Sequence, residues 1–66
     1  EAIRIFQLNV EAYPDSWNVH DSLGEAYMAA GQTGLAIQSY EKTLELNPDN
    51  DNAISMLEKL RHEEDG

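Results

Sequence analysis

Several absences bound what this chain can be. Its 66 residues include no cysteine, so neither a disulfide nor a thiolate metal site supplements the core. Chains this short form one small domain at most and bury only about 60% of their unfolded surface. Positive charge is scarce: Arg4, Lys42, Lys59 and Arg61 stand against 13 Asp and Glu residues, for a net charge of −9. Binding phosphate backbones draws on clustered Lys and Arg. None cluster here, so nucleic acid and anionic membrane surfaces are not expected partners, and a basic or neutral protein or peptide is. No apolar run approaches the roughly 20 residues that span a bilayer. No signal peptide is visible, and a chain opening at Glu1 without methionine is expected to begin inside a longer protein.

Catalytic motifs are missing as well. The four serines and two histidines fall in no G-x-S-x-G, S-x-x-K or H-E-x-x-H pattern, and there is no phosphate-binding glycine loop. A self-contained enzyme is not expected, nor is a cofactor or a metal. Gly31-Gln-Thr-Gly34 reads as a helix–helix turn. Asp49-Asn50-Asp51-Asn52 begins like a calcium loop, but the loop's glycine and closing bidentate glutamate are absent at the required distances, which leaves a turn and a helix cap. His62 on an acidic tail is a weak metal-ligand set. His20 lies on an apolar face and is expected to be packed and hydrogen-bonded.

What is present is helical periodicity. Over residues 1–13, Ile3, Phe6 and Val10 recur at helical spacing, and Pro14 ends the run by disfavouring helical geometry in the residue before it. Ser16 is the expected N-cap of a second helix from Trp17 to Ala30, with Val19, His20, Leu23, Ala26, Tyr27 and Ala30 as its apolar stripe. Gly31 suits the left-handed position after a helix end. Thr33 is expected to cap a third helix from Gly34 to Leu46, with Ala36, Ile37, Tyr40 and Leu44 inward. Asn47-Pro48-Asp49-Asn50 is a turn by composition. Asn50 or Asp51 caps a fourth helix to His62 carrying Ile54, Leu57 and Leu60, and residues 63–66 are expected to fray.

The pattern repeats. Pro14 and Pro48 stand 34 residues apart (48 − 14), and the same offset pairs Ala2 with Ala36, Ile3 with Ile37, Phe6 with Tyr40, Asn18 with Asn52 and Leu23 with Leu57. Leu23-Gly24-x-x-Tyr27, Ala36-x-x-x-Tyr40 and Pro48 occur in the order W-x2-L-G-x2-Y, A-x3-F, P. The chain therefore resembles the tetratricopeptide repeat, whose period is about 34 residues. The resemblance implies an all-α fold of antiparallel helix–turn–helix units stacked as a short solenoid of four helices. Residues 1–13 would be the second helix of one repeat, 17–50 a whole repeat, and 51–62 a C-terminal capping helix. Leu23, Gly24, Tyr27, Ala36, Tyr40 and Pro48 would be its packing residues.

Departures from the family pattern carry expectations of their own. His20 stands where the family has tryptophan. Glu58 answers Gly24 and Leu60 answers Ala26, and side chains of that size would keep a further helix from packing on residues 51–62. Ile5 and Leu8 correspond to Ser39 and Lys42, so the first helix is apolar on more than one face. Repeat helices do not bury their faces alone, so that flank is expected to dock on an upstream part of its own polypeptide or on a second copy. By the resemblance, a concave groove is lined by Asn18, Asp21, Glu25 and Met28, then Asn52, Ser55, Lys59 and His62. Asp21 and Glu25, four apart on one face, would make its wall acidic; the simpler reading leaves them as solvated helix positions.

The expected role is a non-catalytic protein-interaction or packing module. Residues 9–27, N-V-E-A-Y-P-D-S-x-N-x-x-D-S-L-G-E-A-Y, are also similar to repeats at the C-termini of some bacterial serine hydrolases of the esterase and β-lactamase-like families. That resemblance implies an accessory tail with the catalysis upstream. A homodimerisation module is a third expectation.

Overall fold

A computed structural model describes residues 2–65, with the backbone alone for Glu64 and Asp65. Four α-helices follow one another: α1 (Ala2–Ala12), α2 (Trp17–Ala29), α3 (Thr33–Leu46) and α4 (Asp51–Asp65). The fold is an all-α helical repeat. Each helix packs on its neighbours in sequence, and the α2–α3 pair is the most extensively packed. The molecule measures 35 × 28 × 13 Å.

Proline sets two of the ends. Tyr13, preceding Pro14, lies outside α1, and Asn47, preceding Pro48, leaves the helix with φ −142° and ψ 83°. In both places the ring of the following proline crowds helical geometry. The end of α2 is made differently. Gly31 takes φ 78°, its N–H bonds the Met28 carbonyl at 3.1 Å, and the Gln32 N–H reaches back to Tyr27 at 2.8 Å. Those two bonds are a Schellman ending, which needs the left-handed residue that glycine supplies without steric cost.

Several expected details are corrected. Ser16 holds the N-cap position of α2 but makes no side-chain capping bond. Thr33 is the first residue of α3 rather than its cap, because the turn after Gly31 closes one residue sooner and Gln32 occupies the cap. Asn50 does cap α4, its Oδ1 accepting from the Ala53 N–H at 3.0 Å. Ala30 is the exposed C-cap of α2. Helix α4 continues past His62 to Asp65 instead of fraying from residue 63; Gly66 lies outside the described residues.

The core is small and specific. Leu23, Tyr27, Ala36, Tyr40, Ala53, Leu57 and Leu60 are buried together, with Ile3, Phe6, Val10, Met28, Ile37, Leu44 and Met56 packed around them. Ala36 and Ala53 are fully covered. Thr43 is equally buried and satisfies its hydroxyl by donating to the Ser39 carbonyl at 3.0 Å, the i−4 bond open to a helical threonine. Ile54, expected to face inward, is 38% exposed, since Ala53, Leu57 and Leu60 form the buried face of α4. Leu60, expected to obstruct a further helix, turns into the core instead, whereas Glu58 is exposed.

Candidate functional site

Helices α2 and α4 carry matching stripes. Asn18, Asp21, Glu25 and Met28 recur at spacings that keep one helix face, and Asn52, Ser55, Lys59 and His62 do the same one repeat later. The stripes meet where the Asn52 amide donates to the Asp21 carboxylate at 3.4 Å. Asn18, Glu25, Asn52, Ser55, Lys59 and His62 are exposed, while Asp21 and Met28 are half-buried. Met28 also packs against the core, so the hydrophobic end of the stripe is tied to the fold.

Tyr40 lies directly beneath this face. A Cβ added at Gly24 would sit 3.1 Å from the Tyr40 ring, so the absence of a side chain there is what lets α2 rest on α3. Burial, then the charges of Asp21 and Glu25, push the Tyr40 hydroxyl up to about 12. All three causes disfavour a phenolate. The two carboxylates thus flank Gly24 and share one electrostatic environment over the buried ring.

The packing residues read from the sequence come together as a cluster: Leu23, Gly24, Tyr27, Ala36 and Tyr40 are all buried, and Pro48 sits exposed in the turn after α3. His20 is buried, and its Nε2 donates to the Pro14 carbonyl at 2.8 Å. The carbonyl only accepts, so the proton is on Nε2. Ile5 and Leu8 stay apart from this site at 57% and 51% exposure on the outer flank of α1.

Other cross-helix contacts had no sequence signal. The Gln7 amide donates to the Tyr27 hydroxyl at 2.8 Å, joining α1 to α2. Arg61 pairs with Glu41 at 2.6 Å, joining α4 to α3. A cleft of about 230 Å³ opens between α1 and α2, lined by Ala2, Phe6, Ser22, Glu25, Ala26 and Ala29. Ala53 was findable: it stands four and seven residues before Leu57 and Leu60, a regular helical stripe.

Chemically, the face offers carboxylates and amides for hydrogen bonds and charge. Among the described residues, no group of three or more His, Asp or Glu is placed to hold a metal ion. Every buried side-chain polar atom among them has a partner. None of the four helices is long and apolar enough to cross a membrane.

These features define an all-α helical-repeat module. Residues 22–50 match the model of the tetratricopeptide repeat, which supports that family for this chain. Repeats of the family serve as protein-interaction or scaffolding modules, bind proteins or peptides, and are typically non-catalytic. Among curated proteins, the chain is 41% identical over 49 residues to Superkiller complex protein 3 of Mus musculus. It is 39% identical over 49 residues to Superkiller complex protein 3 of Homo sapiens. Each match covers 74% of this chain but 3% of the relative, so the chain spans a small part of the proteins it resembles.

Proposed function

We propose that this chain is a non-catalytic interaction segment whose α2–α4 face receives a basic or neutral stretch of a partner protein. The observation that carries the reading is the placement of Asp21 and Glu25 around Gly24, over a sealed ring and beside Asn52. Two carboxylates on a rigid support attract cationic side chains, and an amide beside them can bond a partner's backbone. The relatives' printed name makes each a member of a complex, which agrees with a scaffolding role and identifies no partner for this chain.

Binding to a Lys/Arg-containing peptide tests the reading. The double substitution Asp21→Asn with Glu25→Gln should weaken binding about tenfold, or about 1.4 kcal/mol, and flatten its salt dependence. Equal affinity for both forms at low salt would discard the acidic face as the site.

A second proposal concerns the flank of α1. The exposure of Ile5 and Leu8 suits a surface covered by a further helix, from a longer polypeptide or from another molecule. Were that polypeptide a bacterial serine hydrolase, as the wording of residues 9–27 suggests, deleting this segment would lower its stability and spare its chemistry. Neither relative reported above is named as a hydrolase.

A further inference from the structure

Of the five aromatic rings in the chain, Phe6, Tyr27 and Tyr40 belong to the core or pack against it. The other two do not. Tyr13 is 65% exposed and Trp17 37%, on either side of the turn that joins α1 to α2. Single exposed apolar residues are ordinary, whereas large ones gathered at one place mark an interaction site.

The turn between α3 and α4 supplies an internal comparison. The Ser16 N–H bonds the Tyr13 carbonyl at 3.1 Å, and the Asn50 N–H bonds the Asn47 carbonyl at 3.2 Å. Both turns thus close on the same hydrogen bond around a Pro-Asp pair. At the places of Tyr13 and Trp17, however, the second turn carries Asn47 and Asp51. The fold therefore requires no ring at either position. Nor does the exposure follow from where the sequence begins, since Pro48, Asp49 and Asp51 are exposed as well although three helices precede them.

The chemistry of the first turn selects its occupant. A hollow of about 410 Å³ opens against Ala12, Tyr13, Pro14, Asp15 and Ser16. Among the described residues, neither the Tyr13 hydroxyl nor the Trp17 indole N–H takes part in a side-chain hydrogen bond, so both donors are open to a ligand. A polyproline II segment is their complement. Its carbonyls have no internal partner, its prolines carry no N–H, and it docks on aromatic-lined surfaces. A β-turn holds its first and fourth Cα atoms within about 7 Å, which puts those of Tyr13 and Trp17 at most about 11 Å apart. One turn of polyproline II rises about 9 Å, so prolines one turn apart suit two anchors so placed. Exposed Glu11 and Asp15 border the same turn, and no Lys or Arg lies between Arg4 and Lys42 to neutralise them. A cation beside the prolines is thereby favoured.

The support is ordered in advance. Buried His20 donates from Nε2 to the Pro14 carbonyl at 2.8 Å, a bond that Ile54, at the corresponding place, cannot give the second turn. A surface already held in place costs less entropy to bind. We propose that the α1–α2 turn is a docking site for a proline-rich segment of a partner protein, in polyproline II conformation and carrying a Lys or Arg. Tyr13 and Trp17 hold the prolines, and Glu11 and Asp15 attract the cation. The site shares no residue with the α2–α4 face, and neither reading depends on the other.

Trp17 is the sole tryptophan, so its fluorescence tests the proposal directly. A blocked polyproline peptide containing one arginine should give a saturable blue shift. The same peptide with proline in place of the arginine should bind severalfold more weakly, and a glycine–serine peptide with one arginine should leave the emission unchanged. Calorimetry extends the test to Tyr13→Asn and Trp17→Asp, which borrow the residues of the second turn and so suit the backbone. Each should weaken binding about tenfold with the helical circular dichroism intact. Glu11→Gln with Asp15→Asn should remove the preference for the arginine-bearing peptide. Asp21→Asn with Glu25→Gln should leave the affinity unchanged, and a loss there would move the peptide to the α2–α4 face and overturn the proposal. So would the absence of a saturable shift, an equal response to the glycine–serine peptide, or folded Tyr13 and Trp17 variants that bind as the unaltered chain does. A blue shift on concentrating the chain alone would assign the rings to a second copy and overturn it too.

Discussion

Helices α1 and α3 are equivalent in sequence and different in state. Ala2, Ile3, Phe6 and Val10 occupy the places of Ala36, Ile37, Tyr40 and Leu44, yet α3 has Ala36, Ser39, Tyr40 and Thr43 buried and α1 has no buried residue. Helix α3 is flanked by α2 and α4, whereas α1 packs chiefly on α2. Burial in a stacked repeat is thus conferred by neighbours, and the same apolar pattern stabilises a helix only as far as those neighbours cover it. The sharpest test removes the equivalent rings. Tyr40→Ala deletes a side chain 1% exposed and should cost about 3–5 kcal/mol, enough to unfold a domain this small. Phe6→Ala should cost clearly less, because its ring borders the open cleft. Urea melts followed by circular dichroism would measure both, and equal losses would break the comparison.

The second test exchanges the residues at closest approach. Gly24→Leu forces a side chain into the Tyr40 ring and should destabilise by about 1–3 kcal/mol. Glu58→Leu, at the equivalent place on α4, meets no such ring within its own chain and should change stability by about 0.5 kcal/mol or less. Similar losses at the two sites would mean that α4 is not the uncovered counterpart of α2.

How much of this was legible in the sequence follows from which residues depend on distant neighbours. Pro14, Gly31 and Pro48 act on their own backbone, so the helix ends were readable to within a residue or so, apart from α4. The rings and small residues of α2 and α3 were readable because their spacing repeats. Ile54 was misjudged because an apolar residue at helical spacing does not reveal which of two faces is covered. Ala53 takes that face, and its small size makes it a weak marker. Leu60 could not be oriented without knowing the rotation of α4. In the candidate site, the stripes were visible as spacing, but their meeting at Asn52 and Asp21 depends on how α4 lies beside α2. The Gln7–Tyr27 and Arg61–Glu41 contacts join residues 20 apart, beyond any local pattern.

A gentler test uses the proton of Tyr40. Its pKa is raised from 10.0 to about 12, chiefly by burial and then by Asp21 and Glu25. A raised folded-state value means that the native chain holds the proton more tightly than the unfolded one. The corresponding stability is complete below pH 10 and is lost as pH rises towards about 12. Phenolate absorbance should therefore show an ionisation near pH 12 in the folded chain. Tyr40→Phe should remove its share of the alkaline loss of stability, and unfolding in urea should return the phenol towards its ordinary value of 10.0. Asp21→Asn should lower the value only in part, because burial is the first cause. A Tyr40 that titrates like an exposed phenol would show that the floor of the α2–α4 face is open to water.

The smallest effect belongs to the Arg61–Glu41 pair. At 2.6 Å it is the shorter of the two ion pairs found among the described residues, and both side chains remain about half exposed. Exposed pairs are screened and must order two long side chains, so they contribute about 0.2–1 kcal/mol. Arg61→Ala should lower the urea midpoint slightly, and 1 M salt should erase most of the difference. A double-mutant cycle with Glu41→Gln separates the pair from the packing of the arginine stem. The coupling bears on the contrast between inner and outer helices, because α4 is covered on one side only and Arg61 ties it to α3. A coupling well above 1 kcal/mol would mean that charge, and not the Ala53–Leu57–Leu60 face, sets how α4 is held. A coupling near zero would leave that face, and the Asn50 cap, to hold it.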